Sequence, residues 1–198
     1  MEKEFNVFTA PEMRGKHSLR ASVTSELIFE DVFVPEEDIL PKTVGLKNAL
    51  MCLNQARFGI AWGVVGTRIA CYDSVINCAK SRIQFSKQIA TYQLTQQKLV
   101  QMLTEITKAQ LINLQLGRLI DKGDSKHYQV FLAKRNNCEK VLEIARMSRE
   151  ILGANEILDE YAVMRHLANL ESVKTYERTD ETHTLIIGEN ITGFSAVD

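Results

Sequence analysis

All three prolines of this 198-residue chain, Pro11, Pro35 and Pro41, fall within its first 41 residues. Proline removes a backbone donor and breaks a helix interior, so only the part after Pro41 is free to build long, uninterrupted helices. The part before it has a different texture. From Ser22 to Glu30 the residues alternate, with Val23, Ser25, Leu27 and Phe29 on one face and Thr24, Glu26, Ile28 and Glu30 on the other. That is the period of a half-buried strand. Val32-Phe33-Val34 resumes the extended pattern, and Pro35 and Pro41 bracket an acidic connector. A few strands do not hold together unaided. Residues 1–41 are therefore expected to be the end of a β domain whose other strands are missing, with unpaired edges.

From residue 42 the spacing becomes helical. A first segment, about Leu46 to Ile83, carries Leu50, Leu53, Ile60, Val64, Ile69, Val75 and Ile76, interrupted by Gly59, Gly63 and Gly66. Each glycine costs up to ~1 kcal/mol against alanine in a helix interior, so close helix packing or close approach of a ligand is expected there. After a break at Phe85-Ser86-Lys87-Gln88, a second segment, about Tyr92 to Ile120, carries Leu99, Met102, Leu103, Ile106, Ala109, Leu116 and Ile120 on one stripe. A third, about Lys126 to Leu152, presents Cys138, Val141, Leu142, Ala145 and Leu152 and ends at a capping Gly153. A fourth, about Asp159 to Lys174, has Asp159 as N-cap and presents Met164, Leu167 and Ala168, and a fifth runs from about Asp180 to Glu189. Long helices joined by short turns pack antiparallel to their neighbours. The expected fold is mainly α: an up-and-down four-helix bundle over residues 42–198 with a short fifth helix, preceded by the few strands.

Charge is nearly balanced, 24 Lys and Arg against 25 Asp and Glu, which argues against nucleic acid and anionic membrane as partners. No apolar run approaches a bilayer span, and Met1-Glu2-Lys3-Glu4 lacks the order of a secretory signal, so an intracellular setting is expected. Cys52, Cys71, Cys78 and Cys138 have no CxxC spacing and read as buried free thiols. The four histidines lie on separate elements and form no HExxH or Glu-x-x-His pattern, so no metal is expected. Phosphate loops and GxSxG elbows are absent from the sequence.

What remains is a set of polar residues at segment ends: Arg57, Arg82, Gln93, the Gly153-Ala154-Asn155 turn, Glu177 and Thr179. Bundle connectivity is expected to bring them to one rim, where a large ligand can lie. Glu177 stands in the break between the fourth and fifth helices, where a carboxylate can leave the helix surface and act in a cleft as a general base.

Several motifs resemble one family in the right order. Ser18-Leu19-Arg20-Ala21-Ser22 and Val32-Phe33-Val34-Pro35 resemble the end of the central β domain of acyl-CoA dehydrogenases. Leu53 to Gly63, read Leu-Asn-Gln-Ala-Arg-Phe-Gly-Ile-Ala-Trp-Gly, resembles the opening of the C-terminal helical domain in the glutaryl-CoA branch. Arg82-Ile83-Gln84-Phe85 with Gln93 resembles the flavin-contacting turn, and Thr175-Tyr176-Glu177 the catalytic segment. Lys134-Arg135-Asn136-Asn137-Cys138 and Asp159-Glu160-Tyr161 fit the same pattern.

The resemblance implies FAD as cofactor and an acyl-CoA as substrate, with Glu177 removing the α proton while the β hydrogen leaves as hydride to the flavin. It further implies Asn54 and Arg57 on the thioester arm, Arg178 beside the acyl chain, and Thr179 at the flavin. Arg82, Phe85, Gln93, Gly153 and Ala154 would hold FAD across a subunit boundary. Implied partners are an electron-transfer flavoprotein, copies of the chain in a homo-oligomer, with a tetramer expected, and a separate N-terminal polypeptide carrying the missing half. The setting implied is cytoplasm, or mitochondrial matrix in a eukaryote. Glutaryl-CoA members also release the γ-carboxylate as CO2. Three departures stand out: Arg178 replaces a glycine after the base, and Ala154 and Glu156 replace glycines of a Gly-Gly-x-Gly turn, where added volume and charge are expected to weaken cofactor binding. These departures leave open a flavin-free assembly module of the same descent.

Overall fold

A computed structural model of the chain describes residues 8–196. Its N-terminal part is an irregular antiparallel hairpin. Strand β1 (Phe8–Thr9) pairs with β2 (Ile28–Phe29), and a bridge between Glu12 and Ser25 keeps the same register. Pro11 has no N–H to give, but its carbonyl accepts from Glu26 N at 3.1 Å. The Ser22–Glu30 alternation thus becomes a paired edge and not a continuous strand. Neither face is covered: Val23, Leu27 and Phe29 are exposed, and Val32–Val34 forms no strand. The half-burial expected of that stretch is corrected, because no second layer lies over the hairpin in this chain.

Five helices follow: α1 (Lys47–Ser81), α2 (Gln93–Asp121), α3 (His127–Leu152), α4 (Val163–Thr175) and α5 (Asp180–Thr192). Between α1 and α2 lies a tight hairpin of β3 (Ile83–Gln84) and β4 (Lys87–Gln88). Its two turn residues, Phe85 (φ 49°) and Ser86 (φ 66°), are both left-handed, the geometry that fits the twist of a two-residue hairpin. Cross-helix contacts fix the directions. Arg57 lies on Phe131, Arg68 bonds Asn137 O at 2.5 Å and Arg82 bonds Leu152 O at 3.1 Å, so α1 and α3 run parallel. Asn113 reaches Ala61 O and Arg68 reaches Glu105 O, so α2 runs against α1. On the other side α4 runs against α3, with Arg146 at Glu171 and Lys134 at Lys174 O. This is the expected up-down-up-down bundle, with α5 packed on the first half of α3.

The main core is apolar, built from Cys71, Val75, Met102, Val141, Ile144 and Leu152 among others. A smaller cluster surrounds Ala61, Leu116, Val130 and Ala133. Polar groups in the interior stitch three helices together. Asn113 and Asn137 both donate to Ala61 O, at 2.7 and 3.2 Å, and Asn137 donates to Asn113 Oδ1 at 3.0 Å. Buried Arg68 bonds one carbonyl on each of α2 and α3.

Several expectations shift. Leu50, Ile69, Leu103 and Met164 are on the outside. Cys71 and Cys138 are buried free thiols, whereas Cys52 is exposed and Cys78 half-buried. Asp159 caps nothing: past the C-cap Gly153 (φ 61°) the chain coils through a 3-10 turn, Gly153–Ile157, and α4 begins at Val163 after Ala162. Gly59, Gly63 and Gly66 face open space, with nothing within 4 Å of where a Cβ would stand, so no helix among the described residues packs closely on them.

Candidate active site

Helix α4 ends when Tyr176 N bonds Ser172 O at 2.8 Å, and α5 starts at its N-cap Thr179, whose hydroxyl accepts from Thr182 N. Only Tyr176, Glu177 and Arg178 lie between. Glu177 (φ 55°) and Arg178 (φ 78°) both take the left-handed conformation, which costs roughly 1–2 kcal/mol for each L-residue. Two buried cations hold this strained turn from below. Arg57, 2% exposed, donates from Nε to Glu177 O at 3.1 Å, and its Nη2 stands 3.6 Å from Glu177 Oε2. Lys134, fully buried, donates from Nζ to the carbonyls of Lys174, Tyr176 and Arg178 at 3.2, 2.9 and 3.1 Å.

The surroundings of this turn carry positive charge. Arg57 lies over the Phe131 ring at 5.0 Å, and Phe131 in turn meets His183 at 5.2 Å. Burial pushes the Arg57 guanidinium down from its ordinary value, Glu177 opposing and Arg178 adding to the shift. His183 is fully buried and is pushed down to about 4, first by burial, then by Lys134, Arg57 and Arg178, with only the Arg178 backbone opposing. It is therefore neutral near pH 7. The Glu177 side chain keeps 20% of its exposure, and its Oε2 accepts no hydrogen bond.

Beside the turn opens a largely apolar groove of about 1140 Å³, lined by Asn54, Arg57 and Arg178 together with Met51, Phe131 and Ile186. Asn54 Oδ1 is buried there without a partner, an acceptor ready for a ligand donor. Asn54, Arg57, Glu177, Arg178 and Thr179 thus gather around one turn and its groove.

Arg82, Phe85, Gln93, Gly153 and Ala154 do not join them. Arg82 follows the C-terminus of α1, and 25 residues of rise from Arg57 to Arg82 span about 38 Å. The expectation of a single rim is corrected: α1 and α3 are parallel, so their two ends carry two separate clusters. At the far end Arg82 shares a polar groove of about 500 Å³ with Asn77, Asn155 and Tyr161, Phe85 projects 89% exposed from its hairpin, and Gln93 opens α2 exposed. Gly153 and Ala154 are exposed in the adjacent turn, but Glu156 is buried and turns back to Arg149 at 2.9 Å. Its charge is met within the chain. Among the described residues no three His, Cys, Asp or Glu converge as metal ligands, and no helix is long and apolar enough to cross a membrane.

A sequence profile of the acyl-CoA dehydrogenase C-terminal domain matches residues 43–192. The chain belongs to the acyl-CoA dehydrogenase family. The short-chain-specific acyl-CoA dehydrogenase of Megasphaera elsdenii is 30% identical over 184 residues, 91% of this chain and 48% of that protein. Isovaleryl-CoA dehydrogenase of Solanum tuberosum is 29% identical over 96% of this chain and 47% of its own. Glutaryl-CoA dehydrogenase of Mycobacterium smegmatis superposes with a TM-score of 0.97 at 47% identity, over all of this chain and 51% of that one. A second structure of a glutaryl-CoA dehydrogenase from the same organism, in complex with FADH2, gives 0.97 at 43% identity, over 100% of this chain and 51% of that one. The chain spans about half the length of the curated relatives it matches.

Lys134, His183 and the layer of Arg68, Asn113 and Asn137 carry structure that sequence reasoning did not assign. A readable signal existed for the cations: Arg57 and Arg68 stand on the α1 stripe with Ala61, Val64, Cys71 and Val75, and Lys134 stands between Val130 and Cys138 on α3. A charge at a core position must find buried partners.

Proposed function

We propose that this chain is the C-terminal part of an FAD-dependent acyl-CoA dehydrogenase of the glutaryl-CoA type, with Glu177 as the base. The observation that carries this reading is the Glu177 carboxylate, held on a strained turn between two buried cations at the edge of an apolar groove. A thioester arm laid along the groove would meet Asn54 and Arg57, and its Cα would present a proton to Glu177. Proton removal from such a weak acid requires stabilisation of the enolate as its charge develops. The positive charges of Arg57 and Arg178 favour that charge, and the neighbouring apolar wall of Phe131 and Met51 excludes water. Bound FAD supplies the acceptor that takes the β hydrogen with its electron pair, leaving an enoyl-CoA. Electrons then pass to an electron-transfer flavoprotein. The 47% identity to the M. smegmatis glutaryl-CoA dehydrogenase favours a dicarboxylic acyl chain, followed by loss of its γ-carboxylate as CO2.

The residues at the far end fit FAD in kind: a guanidinium with donors to spare for a pyrophosphate, an exposed aromatic face at Phe85, and the exposed amide of Gln93. Arg82 lies about 38 Å along α1 from Arg57, the partner of Glu177, so the far-end residues fit a cofactor bound to another copy of the chain. Residues 1–41, with their uncovered hairpin, would be the end of a β domain whose remainder is supplied upstream or by a second polypeptide, inside the cell. A flavin-free assembly module is the second reading, favoured by Arg178, which lines the groove. Visible absorption of the assembled protein separates the two. The enzyme reading predicts flavin bands that bleach anaerobically on adding glutaryl-CoA. A colourless protein that takes up no FAD when reconstituted contradicts it.

A further inference from the structure

Lys134 has no carboxylate partner within ion-pair distance, although it is fully buried among the described residues. An ammonium has three N–H donors and no acceptor, and here all three are spent on one short segment. The carbonyls of Lys174 and Tyr176 are orphan groups of the α4 C-terminus, and that of Arg178 lies beyond the turn. With Arg57 on the Glu177 carbonyl, the backbone oxygens of residues 174, 176, 177 and 178 are all tied to buried cations. Glu177 N and Arg178 N, by contrast, donate to no group among the described residues. Sparsely populated backbone conformations persist only where surrounding structure over-determines them. Among the described residues no other hydrogen bond or ion pair reaches both sides of Glu177 and Arg178 at once.

We infer that Lys134 is a positioning residue for the base: its ammonium caps α4 internally and fixes the left-handed turn at Glu177 and Arg178, which sets where the Glu177 carboxylate stands. The inference rests on the reading of Glu177 as the base. Lys134 touches neither the groove nor a reacting atom, and it acts through the backbone alone. Burial pushes its ammonium down from the ordinary lysine value, opposed by Cys138, Asp180 and Glu177, while Arg57 adds to the shift, so the carbonyl bonds must support the charge.

Lys134→Met keeps an unbranched side chain as far as the ε position and removes the ammonium with all three donors. In the assembled flavoprotein, amide exchange at Tyr176 and His183, which close the turn on either side, is expected to rise about tenfold while exchange in α2 stays unchanged. Turnover is expected to fall roughly 100-fold with KM within about threefold, as misplacement of a reacting group by about 1 Å produces. Lys134→Gln, which keeps an amide donor, is expected to fall between the two and carries the comparison should Lys134→Met fail to accumulate. Unchanged exchange at Tyr176 overturns the inference. So does a loss confined to KM or thermal midpoint with kcat retained, which would make Lys134 a packing residue only. Glu177→Gln in parallel keeps the two ideas apart: full turnover there removes the base, while the exchange data still decide the clamp.

Discussion

Arg178 holds a left-handed backbone that glycine adopts freely, and its guanidinium borders the groove. Arg178→Gly is expected to raise stability by about 0.5–1 kcal/mol, net of the greater entropy glycine loses on folding. Flavin retention should rise with it; a drop in both thermal midpoint and flavin content would make the arginine a ligand contact. His183 gives a pH dependence of definite sign. Its folded value of about 4 lies below the ordinary 6.5, so the unfolded chain binds more protons between the two. The stability it contributes is fully present above pH 6.5 and is lost as pH falls from there towards 4. The groups around it are Arg57 from α1, Phe131 and Lys134 from α3, and Arg178 from the turn. His183→Leu should flatten thermal midpoint against pH across that window, and an unchanged slope would assign it to other groups.

The elements themselves were largely legible. Helical spacing marked α1 to α4, each of which buries a repeating stripe, whereas α5 buries only His183 and was placed by the break at Glu177 before it; Gly153 marked the end of α3 through its positive φ. Asp159 misled because an N-cap residue type also suits a turn: it stands in the turn closed by Tyr161 N on Leu158 O, and α4 begins four residues later at Val163. The hairpin partner of Ile28–Phe29 was missed, since Phe8–Thr9 is too short to show an alternation. Of the candidate site residues, Asn54, Arg57, Glu177, Arg178 and Thr179 stand around one turn and its groove. The distance to Arg82 was readable but overlooked: the one long helix expected over both arginines already sets them 25 residues of rise apart. The parallel course of α1 and α3 is set by tertiary packing. The buried polar layer is the energetic signature of that packing. Arg68, pushed down to about 10 chiefly by burial, joins α1 to both α2 and α3. Arg68→Met strands two carbonyls and is expected to cost about 2–4 kcal/mol, read as a shift in the denaturant midpoint. A loss below about 0.5 kcal/mol, the range of ordinary surface changes, would show that the layer stabilises nothing.

At the scale of the molecule, half a family length leaves surfaces that ask for cover. The outer side of α2 exposes Val100, Leu103, Leu111 and Leu114 at spacings of three and eight, an apolar stripe left uncovered among the described residues. Under the proposal that copies of the chain share a cofactor, this stripe is the face proposed for the second copy. Leu103→Glu with Leu111→Glu should therefore reduce the assembly's mass in solution and release flavin together; reduced mass with full flavin content would separate cofactor binding from this interface. In the assembled flavoprotein incubated in D2O with an acyl-CoA that cannot lose its β hydrogen, wild type should wash deuterium into the α position and Glu177→Gln should not, with ligand affinity kept. Exchange at the wild-type rate in Glu177→Gln would contradict the account.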